Sequence, residues 1–175
     1  MRKNNPAFRV AMLGVLAALN VIAAEILKFP VIPKVLELNF GFVPLAVAGM
    51  LFGPVEATLV GIVGDVVGAS IFSAGDFFLG YTLTAALTGL FYGLFLHAQA
   101  DGKRRIIRAV TGQALVSLIC FAGLNTLWAF LMGYARTSQY IVTRLVVNAV
   151  AYPIYTLVLL LIWRYRKNLE RAVRA

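Results

Sequence analysis

One acidic residue inside an apolar, glycine-rich stretch is the strongest chemical feature of this sequence. Asp65 lies in residues 60–68, and every other residue of that stretch is valine, isoleucine or glycine. A carboxylate near the middle of a membrane-spanning helix costs about 2.5–3.5 kcal/mol on insertion scales, and such residues are by default functional. Asp65 is therefore predicted to belong to a binding site that contains a polar or charged partner.

Arg144 is the nearest candidate for that partner. It lies in another apolar stretch together with Asn148, and their spacing of four residues puts both side chains on one face of a helix. A purely structural ion pair between Asp65 and Arg144 is the alternative, because buried pairs can set specificity without adding stability. The residue types alone are compatible with both a ligand-binding role and a structural role of this pair.

The composition indicates an integral membrane protein. Of the 175 residues, 61% are hydrophobic and 13% are charged, whereas a soluble domain has about 25% charged residues. The net charge of +9 comes from basic clusters that flank apolar segments without interleaved aromatics, which argues against a nucleic-acid partner. The lipid bilayer is therefore the expected environment, and the single cysteine, Cys120, excludes an internal disulfide.

The sequence predicts an all-α integral membrane fold with six transmembrane helices in one domain, residues 1–175. Apolar runs are separated by charged residues and by glycine or proline, and the second run is the shortest. The predicted spans are residues 8–27, 42–52, 54–72, 77–97, 106–134 and 139–165. Residues 28–39 and 73–76 are predicted to be loops.

The distribution of basic residues supports this six-span topology. Six spans return both termini to one side of the membrane, together with the link between spans four and five. Twelve of the 16 Lys and Arg residues fall on that side, and the positive-inside rule makes it the cytoplasmic side. They are Arg2, Lys3, Arg9, Lys103, Arg104, Arg105, Arg108, Arg164, Arg166, Lys167, Arg171 and Arg174. The others are Lys28, Lys34, Arg136 and Arg144.

This topology brings the unusual polar residues to similar depths in the outer half of the membrane. Asp65 lies about 10 Å from the outer end of its span at ~1.5 Å per residue, and Arg144 and Asn148 lie at comparable depths. Asn125 and Trp128 belong to the outer half of the fifth span. The sequence therefore predicts a polar pocket that opens to the outside.

No catalytic centre is predicted. The sequence contains one histidine, His97, and it lacks the H-E-x-x-H, Cys/His and G-x-x-x-x-G-K-[ST] patterns of metalloproteases, thiol nucleophiles and ATP-binding loops. The chain is therefore expected not to be an enzyme, and to hold no metal and no cofactor of its own. Any use of ATP would fall to partner proteins.

Several sequence blocks resemble the substrate-binding S components of energy-coupling factor (ECF) transporters, and within them the folate-specific FolT family. The resemblance covers essentially the whole chain, including its length and six-span layout, and it is densest over residues 40–93. The blocks are Phe40-Gly41-Phe42-Val43-Pro44-Leu45, Gly49-Met50-Leu51-Phe52-Gly53-Pro54, Gly61, Gly64-Asp65, Gly68, Gly75-Asp76-Phe77-Phe78-Leu79-Gly80-Tyr81-Thr82-Leu83-Thr84-Ala85 and Gly89-Leu90-Phe91-Tyr92-Gly93.

That resemblance implies a binding subunit in a prokaryotic cell membrane. In this family the S component captures a vitamin outside, and separate chains, a transmembrane coupling subunit and two ATPases, drive its release inside. ATP would therefore be used by the partners alone. A small-x-x-x-small pattern on the first helix docks on the coupling subunit. Gly14 and Ala18 match this pattern here, and Ala11, Ala17 and Ala24 are rival small positions.

Folate chemistry suits the residues of the predicted pocket. A pterin presents a ring N–H beside an exocyclic amine, and Asp65 could accept from both, while Asn148 could donate and accept along the remaining edge. Arg144 could hold Asp65 ionised and reach a ring acceptor. Phe77 or Tyr81 could cover the ring face, and a core or interfacial role is an equal alternative for each.

The aminobenzoyl-glutamate tail of a folate would point outward. Its two carboxylates would find Lys28, Lys34 or Arg136, whose charges help capture more than final affinity. The natural lids over the pocket are residues 28–39 and the short loop 73–76. The second of these ends at Asp76 and directly precedes Phe77.

Three other functions are alternatives to folate transport. A different vitamin would use the same S-component fold, because sister carriers share the Leu-Phe-Gly-Pro and glycine pattern. A proton-coupled carrier would use Asp65 as a proton relay, but the small size and the missing inverted repeat argue against an autonomous carrier. A non-transporting scaffold of cell-envelope assembly would have the same size and would leave Asp65, Arg144 and Asn148 without a ligand.

Overall fold

The computed structural model describes residues 5–32, 36–72, 77–97, 103–133 and 138–174. Within these ranges the chain forms eight α-helices, two π-helical segments and one two-stranded hairpin. The helices are α1 Pro6–Val21, α2 Phe42–Leu51, α3 Pro54–Phe72, α4 Leu79–Leu96, α5 Lys103–Leu115, α6 Asn125–Leu131, α7 Ser138–Arg164 and α8 Arg166–Arg174. The π-helical segments Ile22–Ile26 and Val116–Leu124 continue α1 and α5.

Five helical segments in the described part of the chain are, by length and composition, able to cross a membrane. They are Pro6–Ile26, Pro54–Phe72, Leu79–Leu96, Lys103–Leu131 and Tyr140–Arg164. The remaining predicted span, α2, has only 10 residues. At ~1.5 Å per residue it measures about 15 Å, half of the ~30 Å hydrocarbon core. The described chain thus contains five long apolar helices and one short one.

Local sequence explains where α1 and α3 begin. The Asn5 side chain accepts a hydrogen bond from the backbone N–H of Ala7 at 3.0 Å, and Pro6 occupies the first position of α1. Gly53 separates α2 from α3 with a φ of +117°, which a residue with a side chain rarely adopts. Pro54 then opens α3, and this helix has the bounds predicted for the third span.

Residues 28–39, predicted as a loop, contain a β-hairpin. Strand β1, Lys28–Ile32, pairs antiparallel with strand β2, Leu36–Asn39. Pro30 favours a loop in the sequence, but an edge strand tolerates proline, and both strands of a hairpin are edges. The loop prediction is therefore wrong over these strands, and the all-α fold gains one small sheet.

Glycines bring α3 close to two neighbouring helices. A Cβ atom built on Gly61 would lie 2.9 Å from the carbonyl carbon of Ala85, so α3 and α4 touch through their backbones at this point. Gly64 and Gly68 instead face side chains of α1 and of the π-helical turn that follows it. This row of glycines therefore positions α3 against α4 and against the end of α1.

Gly49→Ala is expected to destabilise the protein by about 1–3 kcal/mol, the usual cost of overpacking. A Cβ atom at this position in α2 would lie 2.7 Å from the backbone nitrogen of Gly93 and 2.9 Å from the carbonyl carbon of Tyr92 in α4. Backbone atoms cannot move aside as a flexible side chain can, so the two helices must separate. Thermal unfolding of the purified protein measures the effect.

Gly14→Ala is the matched control for this substitution. Nothing lies within 4 Å of a Cβ atom built on Gly14, and alanine favours a helix over glycine by about 1 kcal/mol. The control should therefore keep or raise the melting temperature. Equal melting temperatures for the two variants would contradict the close packing of α2 on α4.

Two arginines close the C-terminal end of α4. Arg108 of α5 donates to the carbonyl oxygens of residues 94 and 95 at 2.7 and 2.9 Å. Arg166, the first residue of α8, donates to those of residues 96 and 97 at 3.2 and 3.1 Å. A helix leaves its last four carbonyls without intrahelical partners, and cations near them also interact favourably with the helix dipole. The sequence did not indicate α8, which is held by this contact and by the buried Val173.

Candidate ligand-binding site

A cavity of about 820 Å³ lies between α1, α3, α4 and α7. This volume is typical of small-molecule sites, which measure ~300–1,000 Å³. Both π-helical segments contribute to its lining, and π-helical turns are frequent at functional sites. Five of the residues predicted to bind a substrate line it: Asp65, Tyr81, Asn125, Arg144 and Asn148.

Asp65 is oriented on the α3 side of the cavity by Thr82. The Thr82 hydroxyl donates to Asp65 Oδ2 at 2.7 Å, and Thr82 itself is buried. A hydrogen bond to a charged group contributes about 1.5–3 kcal/mol, so it holds the carboxylate in one orientation. Each carboxylate oxygen keeps lone pairs for further donors. Asp65 can therefore still accept hydrogen bonds from a ligand.

Arg144 and Asn148 form a second wall on α7. Asn148 Nδ2 donates to the backbone carbonyl of Arg144 at 2.9 Å, and the Arg144 guanidinium lies 5.2 Å from the centre of the Tyr140 ring. Among the residues that the structure describes, Arg144 forms no ion pair with Asp65, although both line the cavity. Among the described residues, the hydrogen-bond partner of Asp65 is thus Thr82 and not the candidate Arg144.

Glu25 is a second carboxylate of the cavity and was not among the predicted site residues. It lies in the π-helical turn after α1, and a Cβ atom built on Gly68 would lie 3.7 Å from its Cγ. Its signal in the sequence is an acidic residue at the end of the first apolar run. The α1 and α3 side of the cavity is thus acidic, whereas α7 contributes the cation Arg144. Within the described ranges, no three His, Cys, Asp or Glu side chains are grouped to hold a metal ion.

Asn125 lines the cavity, but its side-chain oxygen is not exposed to the open space. Its side-chain Oδ1 atom is buried and has no hydrogen-bond partner among the described residues. A buried amide oxygen without a donor costs about 1–3 kcal/mol, unless water or a ligand supplies one. Because this oxygen is closed off from the cavity, a donor could reach it only after the Asn125 side chain rotates.

Trp128 and Phe77 lie outside the lining of the cavity. Trp128 Nε1 donates to the Thr84 hydroxyl at 3.0 Å, and Thr84 does line the cavity, so Trp128 supports this wall from behind. Phe77 precedes α4 and is 52% exposed. Of the two aromatic residues predicted to stack on a ligand, Tyr81 is the one at the cavity.

Asn39, at the end of β2, joins the hairpin to three helices beside the cavity. Its side-chain amide donates to the carbonyl of Ala24 at 3.2 Å, and its Oδ1 accepts from the N–H of Gly41 at 2.7 Å. Its backbone N–H donates to the Tyr155 hydroxyl of α7 at 3.2 Å. The end of the hairpin is therefore fixed to the π-helical turn after α1, to the start of α2 and to α7.

The predicted capture and lid residues are only partly described. Lys34, Asp76 and Arg136 lie outside the described residues, and of Lys28 the backbone alone is described. Their contact with a ligand stays a prediction.

Gly14 and Ala18 lie on an exposed face of α1. Nothing lies within 4 Å of a Cβ atom built on Gly14, so a neighbour could approach the helix backbone here. Ala17 is buried and Ala24 lines the cavity, and neither offers a surface to a partner. Ala11 is exposed on the same side as Gly14. The docking role of this face also stays a prediction.

The fold and the cavity together define a class of protein, a multi-helix membrane protein with a cavity among its helices. A family profile described as "ECF-type riboflavin transporter, S component" matches residues 5–167. The chain belongs to this family, the S components of ECF-type transporters, which is a family of transport subunits.

Folate transporters are among its relatives. The folate transporter FolT of Clostridium novyi is 33% identical over 136 residues, which are 78% of this chain and 77% of the relative. FolT of Leuconostoc mesenteroides is 31% identical over 150 residues, which are 82% of this chain and 77% of the relative. A crystal structure of FolT bound with folic acid is similar with a TM-score of 0.79 and 29% identity, covering 89% of this chain and 92% of that one.

Proposed function

We propose that this S component binds folate outside the cell and delivers it inward together with separate coupling and ATPase subunits. The observation that carries the proposal is the Asp65 carboxylate, which Thr82 orients at 2.7 Å in a cavity of about 820 Å³. Identities of 33% and 31% to folate transporters support folate as the ligand.

The donor edge of a pterin suits the acidic side of the cavity. A ring N–H and the adjacent exocyclic amine form a donor pair that one carboxylate accepts side by side, and Asp65 provides that acceptor. The Asn148 amide, which also lines the cavity, both donates and accepts. Tyr81 and Phe121 line the same cavity and offer ring faces for stacking.

Arg144 is proposed to bind a carboxylate of the ligand. A guanidinium recognises a carboxylate through two parallel hydrogen bonds, and Arg144 presents its guanidinium at the cavity beside Tyr140. The glutamate tail of a folate carries two carboxylates. The ligand would therefore place its pterin against Asp65 and direct its tail toward α7.

Capture of the tail is assigned to the basic residues predicted to lie on the outer side of the membrane. Lys28, Lys34 and Arg136 would attract the two carboxylates and raise the rate of encounter. Residues 28–39, which contain strands β1 and β2, and residues 73–76, which include Asp76, would act as lids over the bound ligand.

We propose a six-span topology for one membrane domain over residues 1–175, with both termini in the cytoplasm of a prokaryotic cell. The excess of Lys and Arg on one side supports this orientation. The short α2 would complete its crossing inside a protein environment, since Ala46, Ala48 and Met50 are fully buried.

The coupling subunit is proposed to dock on the exposed face of α1 that carries Gly14 and Ala18. Small residues let helices approach closely in a membrane, and this face is free of neighbours at Gly14 within the described chain. Two ATPase subunits would use ATP, and this chain would need no cofactor.

Titration of the purified chain with folic acid tests the proposed ligand. Saturable binding to a single site is expected, and mass spectrometry of any co-purifying ligand gives an independent answer. The family profile is named for riboflavin, which makes riboflavin the second candidate and the parallel titrant. Binding of riboflavin without binding of folic acid would replace folate in the proposal, and uptake without the ATPase subunits would indicate a proton-coupled carrier.

A further inference from the structure

We infer that the N-terminal half of α7, residues 138–150, is a movable wall of the cavity that pivots at the helix break made by Pro153 and closes on the bound ligand. The inference rests on the proposed function, because closure needs a ligand between the walls. Pro153 lies inside α7, where its missing N–H leaves the carbonyl of Ala149 without a helical partner. Sharp helix kinks occur at such prolines.

Burial changes along α7 at the same point. Tyr155, Leu159 and Trp163 are exposed by only 6%, 0% and 3%, and they belong to the core. Ala151 is the first buried residue of α7 among those described. Before it no described residue of the helix is buried, and Val142 is 58% exposed. The part of α7 that precedes Ala151 is therefore not fixed by core packing.

Hydrogen bonds to other elements begin at the same point. The Tyr152 hydroxyl donates to the carbonyl of Val110 in α5 at 3.3 Å. The Tyr155 hydroxyl accepts from the backbone N–H of Asn39 at 3.2 Å. These two contacts hold α7 to the rest of the protein from residue 152 onward.

The polar contacts of the N-terminal half stay within α7. In the described chain they are the hydrogen bond from Asn148 to the Arg144 carbonyl and the contact of the Arg144 guanidinium with the Tyr140 ring. All three residues line the cavity. The described side chains of residues 140–150 therefore carry the cavity-facing groups of α7 as one unit, and none of them is hydrogen-bonded to another helix.

The wall on the other side of the ligand is fixed. α3 and α4 touch through their backbones at Gly61 and Ala85, and the hydrogen bond between Thr82 and Asp65 joins the same two helices. A ligand bound to Asp65 can reach Arg144 more readily if α7 tilts than if α3 and α4 deform. Closure would bring the cation of α7 to the anionic end of the ligand.

Pulsed electron paramagnetic resonance between paired spin labels tests the pivot in the full-length chain. The only cysteine, Cys120, is buried, and Cys120→Ala gives an unlabelled background. One label replaces Leu94 on α4, which is 51% exposed. The second label replaces Val142 before the pivot or, as the matched control, Leu157 after it, which are 58% and 62% exposed. None of the three side chains lines the cavity.

Without ligand, the pair 94–142 should give a broader distance distribution than the pair 94–157. Pro153→Ala restores an N–H to the helix and should narrow the distribution of the pair 94–142 alone. Folic acid should narrow and shift the distance distribution of the pair 94–142 and leave that of the control pair 94–157 unchanged. Val142 lies about 16 Å from Pro153 at ~1.5 Å per residue, so a tilt of about 20° moves it by about 6 Å.

The pivot would be overturned if the two pairs gave distance distributions of equal width without ligand and Pro153→Ala changed neither of them. Folic acid binding without any shift of the pair 94–142 would overturn closure and leave the proposed function intact. If folic acid does not bind in a titration of the labelled protein, the proposed function and ligand closure both fail. The widths of the two distance distributions measured without ligand then still decide whether α7 pivots.

Discussion

Replacing Asp65 by asparagine is expected to weaken folic acid binding by about 100-fold or more. The amide has nearly the same shape, but it lacks the charge and one of the two acceptor oxygens, so it cannot accept the donor pair of a pterin side by side. Two hydrogen bonds to a charged group contribute about 3 kcal/mol or more, and ~1.4 kcal/mol corresponds to tenfold in affinity. Titration of the purified variant with folic acid measures the loss.

The melting temperature of the Asp65→Asn variant distinguishes a binding role of Asp65 from a structural role. Asparagine still accepts the hydrogen bond from Thr82 and removes a charge from an apolar helix, so the melting temperature should stay equal or rise. Glu56→Gln is the matched control, because Glu56 lies in the same helix but pairs with Arg9 away from the cavity. An unchanged affinity of Asp65→Asn, or an equal loss in the control, would remove Asp65 from the site.

Ala18→Trp is expected to abolish folate uptake in the presence of the coupling and ATPase subunits. Ala18 is exposed on α1, and a tryptophan there would hold a partner helix away from the backbone. Ala18 does not line the cavity, so the affinity of the purified chain for folic acid should be unchanged. Uptake of labelled folate into vesicles that contain all subunits, compared with titration of the isolated chain, measures the two effects.

Ala18→Gly provides the control for side-chain size. It keeps a small residue on the docking face, and uptake should remain close to that of the parent protein. Normal uptake by Ala18→Trp would place the coupling subunit on a different face. A loss of folic acid binding by Ala18→Trp would mean that the substitution disturbs the fold and not the docking.

Polar residues in apolar helices could be found from the sequence alone. Asp65, Asn125, Arg144 and Asn148 all line one cavity, and helical periodicity was sufficient to put the last two on one face. The physical reason is the cost of burying such groups in a membrane, which a partner or a ligand must offset. Glu25 follows the same rule at the end of the first apolar run.

The partner of Asp65 could not be found in this way. Thr82 donates to Asp65, whereas Thr58, Thr84 and Thr156 donate to carbonyls four residues earlier in their own helices. Residue type is the same in all four cases. The rotation of α4 against α3 decides which hydroxyl reaches across, and that rotation is set by the packing of the two helices.

The hairpin and the position of Trp128 also depend on tertiary structure. Strands of 5 and 4 residues carry too short a pattern to be separated from a loop. Trp128 follows Asn125 by less than one helical turn, yet its long side chain reaches Thr84 behind the cavity wall. Side-chain direction, which spacing does not give, removes Trp128 from the cavity lining.

The C-terminal end of α4 is completed only when synthesis of the chain has reached α8. Arg166 follows Leu96, whose carbonyl it binds, by 70 residues. Because a chain is synthesised from its N-terminus, Arg108 reaches the end of α4 first and Arg166 reaches it last. Until then two terminal carbonyls of α4 depend on water for their hydrogen bonds. Helix α8 thus completes a helix end that was synthesised 70 residues earlier, and a nascent chain that stops before residue 166 presents an incompletely assembled bundle.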